Sequence, residues 1–201
     1  MKWNLPNILT VTRLLAAPAL ALMFLYFKTP WAYWFALVLF VLAALTDFVD
    51  GYLARAWKQE SKFGAMLDPI ADKAMVLIAL LVIIGFSGVK AWILLPATMI
   101  IFREVFVSGL REFLGDKAHN LKVTQLAKWK TTVQMVAIAV LFSQGIFEHY
   151  EQKRSDLGWL SAGIEWSYYG GIVLLWLAAA LTLITGWDYL VKALPFLKDD
   201  S

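Results

Sequence analysis

Four carboxylates, Asp47, Asp50, Asp68 and Asp72, fall within the stretch LTDFVDGYLARAWKQESKFGAMLDPIADK, which has long apolar runs on either side. An ionised Asp at the centre of a membrane helix costs roughly 2.5 to 3.5 kcal/mol, so carboxylates in such surroundings face a cavity or a cation. At about 100° per residue, Asp47, Asp50 and Ala54 share one helix face, and Asp68 and Asp72 share another. Two helices joined by the short polar stretch from Trp57 to Lys62 are expected to pack antiparallel and aim both acidic pairs into one space. Four carboxylates at close quarters repel one another unless cations sit among them. Oxygen donors without His or Cys suit Mg²⁺ or Mn²⁺ rather than zinc, and two such ions can clamp phosphoryl oxygens. Gly51 and Gly64 allow a ligand or another backbone to come close, and Arg55 at the same level offers a phosphate a bidentate fork.

Two further polar constellations interrupt apolar sequence. Glu104, Ser108 and Arg111 share a helix face, as do Lys130 and Gln134 farther on, with Lys128 and Thr131 beside them. Arg103 lies about two turns inside its apolar run, so it is expected to face the interior and to need an anion or carboxylate partner, which the adjacent Glu104 can supply. The surplus of positive groups suggests a phosphate pocket, whereas snorkelling at helix ends is enough for Lys117 and Lys128. Near the start of the chain Asn7, Thr10 and Arg13 form a polar stripe at i, i+3, i+6. Helix capping with snorkelling and a binding role are both open to that stripe.

The elements that must position these groups are membrane helices. The 201 residues are 61% apolar and 15% aromatic, with no cysteine, which excludes disulfides and thiol nucleophiles. An apolar share above the ~45 to 50% of soluble chains, over a length that suits one domain (1–201), places the chain among integral membrane proteins. Arg13 interrupts the apolar stretch after Lys2 too early for a signal peptide, so an uncleaved first helix is expected, ending before Pro30. Further helices are expected over 31–56, from about Gly64 to Phe86, over 91–114, from Gln125 to Phe147 and from Tyr168 to Leu190. Gly85, Ser87 and Gly88 are read as a turn, and Glu148 to Trp166 as a polar connection. The result is an all-α bundle of six transmembrane helices, each near the ~20 residues that cross a hydrocarbon core.

Fourteen of the eighteen Lys and Arg fall on one side of this arrangement, which puts both termini and the acidic motif in the cytoplasm. Trp31, Tyr33, Trp34, Trp92, Trp159, Trp166, Tyr168 and Tyr169 line the outer ends as an interfacial belt. A net charge of +3 fits attraction to a lipid bilayer, and no nucleic-acid-binding module is visible.

Written out, Asp50 to Asp72 is D-G-x2-A-R-x8-G-x3-D-x3-D, with Asp47 three residues upstream. This pattern resembles the signature of the CDP-alcohol phosphotransferases, and every fixed position of it is filled. The segments FREVFVSGLRE and AKWKTT are similar to those of one branch of that family, the bacterial phosphatidylglycerophosphate synthases. The resemblance implies an enzyme of the inner (plasma) membrane, working in phospholipid biosynthesis with its active site facing the cytoplasm. Such an enzyme transfers the phosphatidyl group from CDP-diacylglycerol to sn-glycerol 3-phosphate and releases CMP. It implies two Mg²⁺ or Mn²⁺ ions held by Asp47, Asp50 and Asp68, with Asp72 as the general base that also touches a metal. It further implies a CDP-lipid site formed by Asn7, Thr10, Arg13, Gly51, Arg55, Ser61 and Gly64, an acceptor-phosphate site at Arg103, Arg111 and Lys130, and a homodimer. Without His or Cys in the motif, direct displacement is favoured over an aspartyl-phosphate route, which stays open. An inositol-phosphate or serine acceptor is the alternative within the family. A divalent-cation transporter is the alternative outside it, although cations such as Arg55, Arg103, Arg111 and Lys130 oppose ion entry.

Overall fold

A computed structural model of the chain describes residues 4–27, 30–56, 61–115, 125–154 and 157–197, the side chains of 47–56 excepted. The described residues form six helices: α1 (Leu5–Tyr26), α2 (Trp31–Ala56), α3 (Lys62–Ser87), α4 (Ala91–Leu114), α5 (Gln125–Lys153) and α6 (Gly158–Leu197). Local chemistry sets their ends. Asn4 caps α1 by accepting from the Asn7 N–H at 3.2 Å, and Ser61 caps α3 by accepting from the Gly64 N–H at 2.9 Å. Gly88 and Gly115 close α3 and α4 with φ of 74° and 51°, a left-handed region that glycine enters without steric cost.

Five helices, all but α2, are long and apolar enough to cross a membrane, and the stretch Trp31–Thr46 of α2 is apolar as well. The chain is therefore a multi-pass membrane protein. Helix α2 packs on α1, α1 on α3, α4 on α6, α6 on α5, and α5 back on α2, while α3 touches α4 and α5 only lightly. Two tight trios thus meet, α1 to α3 and α4 to α6, with a loose seam where α3 faces α4 and α5. The core between them is aliphatic and aromatic, with Leu20, Phe40, Met75, Leu80, Ile83, Ile100, Ile138, Phe142 and Leu175 fully buried.

The fold departs from the sequence reading in several places. Helix α1 packs on both α2 and α3, which also meet each other where the Tyr33 ring lies against Phe86, and the expected convergence of the two acidic pairs falls on Asp47 and Asp50, whose side chains lie outside the described ones. The expected connection Glu148 to Trp166 is mostly helix: α5 continues to Lys153 and α6 begins at Gly158, running 40 residues rather than from Tyr168 to Leu190. Polarity ended the apolar pattern there without ending the helix, which the Gln144 to Glu148 hydrogen bond of 2.7 Å supports at i, i+4. Helix α3 starts two residues before Gly64 and runs through Gly85, leaving Gly88 to make the turn. Tyr33 does not join the outer belt. Its ring lies edge-on to Phe24 and Phe86 at 5.1 and 5.2 Å, in a cluster with Phe142 that ties α1, α2, α3 and α5 together. Trp31, Trp34, Trp92, Trp159, Trp166 and Tyr169 are exposed as expected of that belt.

A second tie joins the start of α4 to the first half of α6, where the Trp92 indole donates to the Tyr168 hydroxyl at 2.7 Å and Trp176 donates to the Trp92 carbonyl at 3.0 Å. Between the C-terminal halves of α1 and α3 lies an apolar groove of about 710 Å³, lined by residues including Leu22, Phe24, Leu81 and Phe86.

A Cβ on Gly145 would run into the ring of Tyr33, whereas one on Gly170 meets nothing within 4 Å. Gly145→Ala is therefore expected to cost about 1 to 3 kcal/mol by overpacking. The expected Tm loss in detergent is about 3 to 10 °C, with Gly170→Ala unchanged. Equal behaviour of the two variants would show that the aromatic cluster yields freely.

Candidate active site

The polar stripe of α1 is buried, not interfacial. Asn7, Thr10 and Arg13 are 3%, 2% and 3% exposed, and each meets α3. The Ser61 hydroxyl donates to Asn7 Oδ1 at 2.8 Å, the Thr10 hydroxyl donates to Asp68 Oδ1 at 2.5 Å, and the Arg13 guanidinium forms an ion pair with Asp72 Oδ1. These three cross-helix pairs climb both helices in the same direction, so α1 and α3 run parallel and are pinned at their N-terminal ends. Gly64 belongs to this crossing. A Cβ there would stand 2.7 Å from Asn7 Oδ1 and 3.2 Å from Ser61 Oγ, so the room that glycine leaves is filled by the Asn7 amide.

Arg13 sits behind Asp72, whose side chain keeps 41% exposure and faces a cavity of about 350 Å³ at the seam between the trios. Its volume lies within the ~300 to 1,000 Å³ of small-molecule pockets. Helix α3 contributes Asp68, Asp72 and Lys73, α4 contributes Glu104 and Arg111, and α5 contributes Lys130, Thr131 and Gln134. Acidic and basic faces thus meet across one space.

The basic side has its own internal order. Glu104 Oε1 accepts from the Lys130 ammonium and from Arg103 Nη1 at 3.3 Å, and all three side chains are nearly buried. A carboxylate shared by two cations offsets the cost of holding them in an apolar bundle. Arg103 finds the carboxylate partner expected of it but does not line the cavity. It turns toward α6, where Nη2 lies 3.4 Å from Thr185 Oγ1 and its stem lies against Gly186, whose Cβ would meet Arg103 Cγ at 2.8 Å. Arg111 and Lys130 do line it, and the Arg111 guanidinium rests 5.9 Å from the centre of the Tyr189 ring.

Of the other expected site residues, Asp47, Asp50, Gly51 and Arg55 lie on α2, with side chains outside the described ones. Among the described residues no three His, Cys, Asp or Glu side chains converge as a metal cluster. The donor set nonetheless fits a hard cation: Asp68 and Asp72 stand one turn apart on the same cavity wall, with no His or Cys in the lining. Lys73 was not foreseen as a site residue. Its signal is a cation directly after Asp72 inside an apolar run, which should face the interior.

The structure is thus that of a multi-pass helical membrane protein in which carboxylates and cations line one cavity between its helices. The family model described as CDP-alcohol phosphatidyltransferase matches residues 3–186, and the chain belongs to that family. It is similar over its whole length, at 62% identity and with both chains fully covered, to a CDP-diacylglycerol–glycerol-3-phosphate 3-phosphatidyltransferase of Cereibacter sphaeroides. Proteins of the same name from Rickettsia bellii, at 41% identity over 92% of this chain and 93% of the relative, and from Escherichia coli strain K12, at 37% over 99% and 100%, are similar as well.

Removing one partner of a buried ion pair strands the other and costs about 3 to 5 kcal/mol, whereas replacing both with apolar groups is often near neutral. Glu104→Leu alone is therefore expected to destabilise strongly, and the Glu104→Leu/Lys130→Met double variant by much less than the two single losses added together. Additive losses in thermal unfolding would show that the pair is not energetically coupled.

Proposed function

We propose that this protein transfers the phosphatidyl group of CDP-diacylglycerol to the primary hydroxyl of sn-glycerol 3-phosphate, giving phosphatidylglycerophosphate and CMP. The single observation that carries the reading is the cavity in which Asp68 and Asp72 face Arg111 and Lys130, because the reaction needs carboxylates at the reacting phosphorus and cations for the acceptor phosphate. Relatives of that name at 37% to 62% identity support the same acceptor. Cations in the same cavity as the carboxylates speak against cation transport, since they oppose ion entry.

In this reading Arg111 and Lys130 hold the acceptor phosphate by charge-assisted hydrogen bonds, Lys130 keeping N–H groups beyond the one it gives Glu104. Asp72, its carboxylate fixed by Arg13, takes the proton of the primary hydroxyl. The acceptor oxygen attacks the phosphorus bearing the diacylglycerol, the bond from that phosphorus to the CMP oxygen breaks, and CMP leaves with the electron pair. Asp47, Asp50 and Asp68, with Asp72 beside them, would hold divalent ions, which when bound neutralise the pyrophosphate and stabilise the departing CMP. Asn7, Thr10, Ser61, Gly51, Gly64 and Arg55 belong to the nucleotide end. Arg103 acts on the acceptor site only through Glu104. The polar lining lies at the end of the bundle where α3 and α5 begin and α4 ends, and the Lys and Arg asymmetry supports a cytoplasmic position for it and for both termini.

Purified protein supplied with CDP-diacylglycerol and Mg²⁺ is expected to release CMP with glycerol 3-phosphate and not with serine or inositol phosphate; turnover with either of the others instead would transfer the chain to another branch of the family. Asp72→Asn is expected to lower kcat by about two to four orders of magnitude, the usual share of general acid-base catalysis. Arg111→Ala is expected instead to raise the KM for glycerol 3-phosphate by about ten- to a hundredfold with little change for CDP-diacylglycerol. A loss at the lipid step would move Arg111 to the donor site. Because the chain has no cysteine, orientation is open to single-cysteine labelling: a cysteine at Glu112 should react from the cytoplasmic side and one at Lys153 from the other. The reverse pattern would invert the bundle.

A further inference from the structure

Gln134 lines the cavity on α5 and is 2% exposed, yet its Oε1 is buried without a hydrogen-bond partner among the described residues. Buried polar groups in native proteins are almost always paired, and one left open beside a cavity points to a partner that arrives with the ligand. The position of this amide narrows the partner. It stands one turn beyond Lys130, about 6 Å along the helix, on the wall that faces Asp72. If the acceptor phosphate sits at Arg111 and Lys130 and the attacking hydroxyl at Asp72, the group left over is the hydroxyl between them. A hydroxyl both donates and accepts, and a carboxamide offers one of each.

We infer that Gln134 is a specificity-determining residue that hydrogen-bonds the secondary hydroxyl of the acceptor, the one neither phosphorylated nor attacking. This rests on the reading that glycerol 3-phosphate is the acceptor. Thr131 spends its hydroxyl proton on the Ala127 carbonyl at 3.2 Å and Glu104 Oε1 is taken by Lys130 and Arg103, so among the described residues that line the cavity Gln134 Oε1 is the buried side-chain atom left without a partner. A site built to bond a substrate hydroxyl rejects the analogue without it, because its own buried group is then left unpaired.

The test compares glycerol 3-phosphate with 3-hydroxypropyl phosphate, which keeps the phosphate and the primary hydroxyl and lacks only the secondary one. The wild-type protein is expected to prefer glycerol 3-phosphate by at least about a hundredfold in kcat/KM. Gln134→Leu, close in size and without polar atoms, is expected to lower kcat/KM for glycerol 3-phosphate at least about thirtyfold. The same variant should leave 3-hydroxypropyl phosphate and the KM for CDP-diacylglycerol unchanged, which shrinks the preference about thirtyfold. An equal loss with both acceptors would reduce Gln134 to a structural role and overturn the inference. Should Gln134→Leu fail to fold, the wild-type comparison decides alone, since equal use of the two acceptors by the wild type also overturns it. A wild-type protein that uses neither acceptor would instead defeat the proposed function, so the two failures are distinct.

Discussion

Carboxylates in apolar sequence are the constraint from which the rest of this structure follows. Asp68 and Asp72 lie on a helix whose remaining residues are made for hydrocarbon, and each is met by a polar group of α1: the Thr10 hydroxyl on Asp68 and the Arg13 guanidinium on Asp72. That pairing decides which helices are neighbours. It draws α1 against α3 and demands Gly64 at the crossing so that Asn7 can reach Ser61. The buried cation also sets the direction in which Asp72 points. With Arg13 closing the rear, its exposed edge faces the seam.

The seam itself is a packing decision. Each trio of helices buries its own apolar faces well, and α3 touches α4 and α5 lightly, because polar side chains stand between them. Glu104 is what makes the basic wall tolerable before any anion arrives, since it shares its carboxylate between Lys130 and Arg103. With that carboxylate in place the Lys130 ammonium is not bare in a medium of low dielectric.

Much of this was legible in the chain. The spacing of Asp68 and Asp72 placed them on one face, the offsets of Glu104 with Arg111 and of Lys130 with Gln134 placed each pair on one wall, and the apolar runs gave six helices. Periodicity carries such statements because it is a property of one helix. It is silent about which helix comes next in space, and for that reason the packing of α1 on α3, the turn of Arg103 toward Thr185 and the withdrawal of Tyr33 into an aromatic cluster were not foreseen. The ends of α5 and α6 were misjudged for a different reason. The apolar pattern reports where hydrocarbon stops, and a helix can go on into water.

Helix α6 shows how far that can go. Forty residues at ~1.5 Å each make a rod of about 60 Å, twice the ~30 Å hydrocarbon slab. Even a steep tilt of about 40° leaves a vertical reach near 46 Å, so several turns must stand clear of the oil at one end or both. The rod carries Trp159 and Trp166 near one end and, beyond Thr185, the Asp188 to Lys192 ion pair near the other. It also supplies the surface on which Arg103 rests. Mismatch with the bilayer therefore falls on a mast that is not isolated: α4, which is stepped against it, carries Glu104 and Arg111 on the wall of the polar cavity.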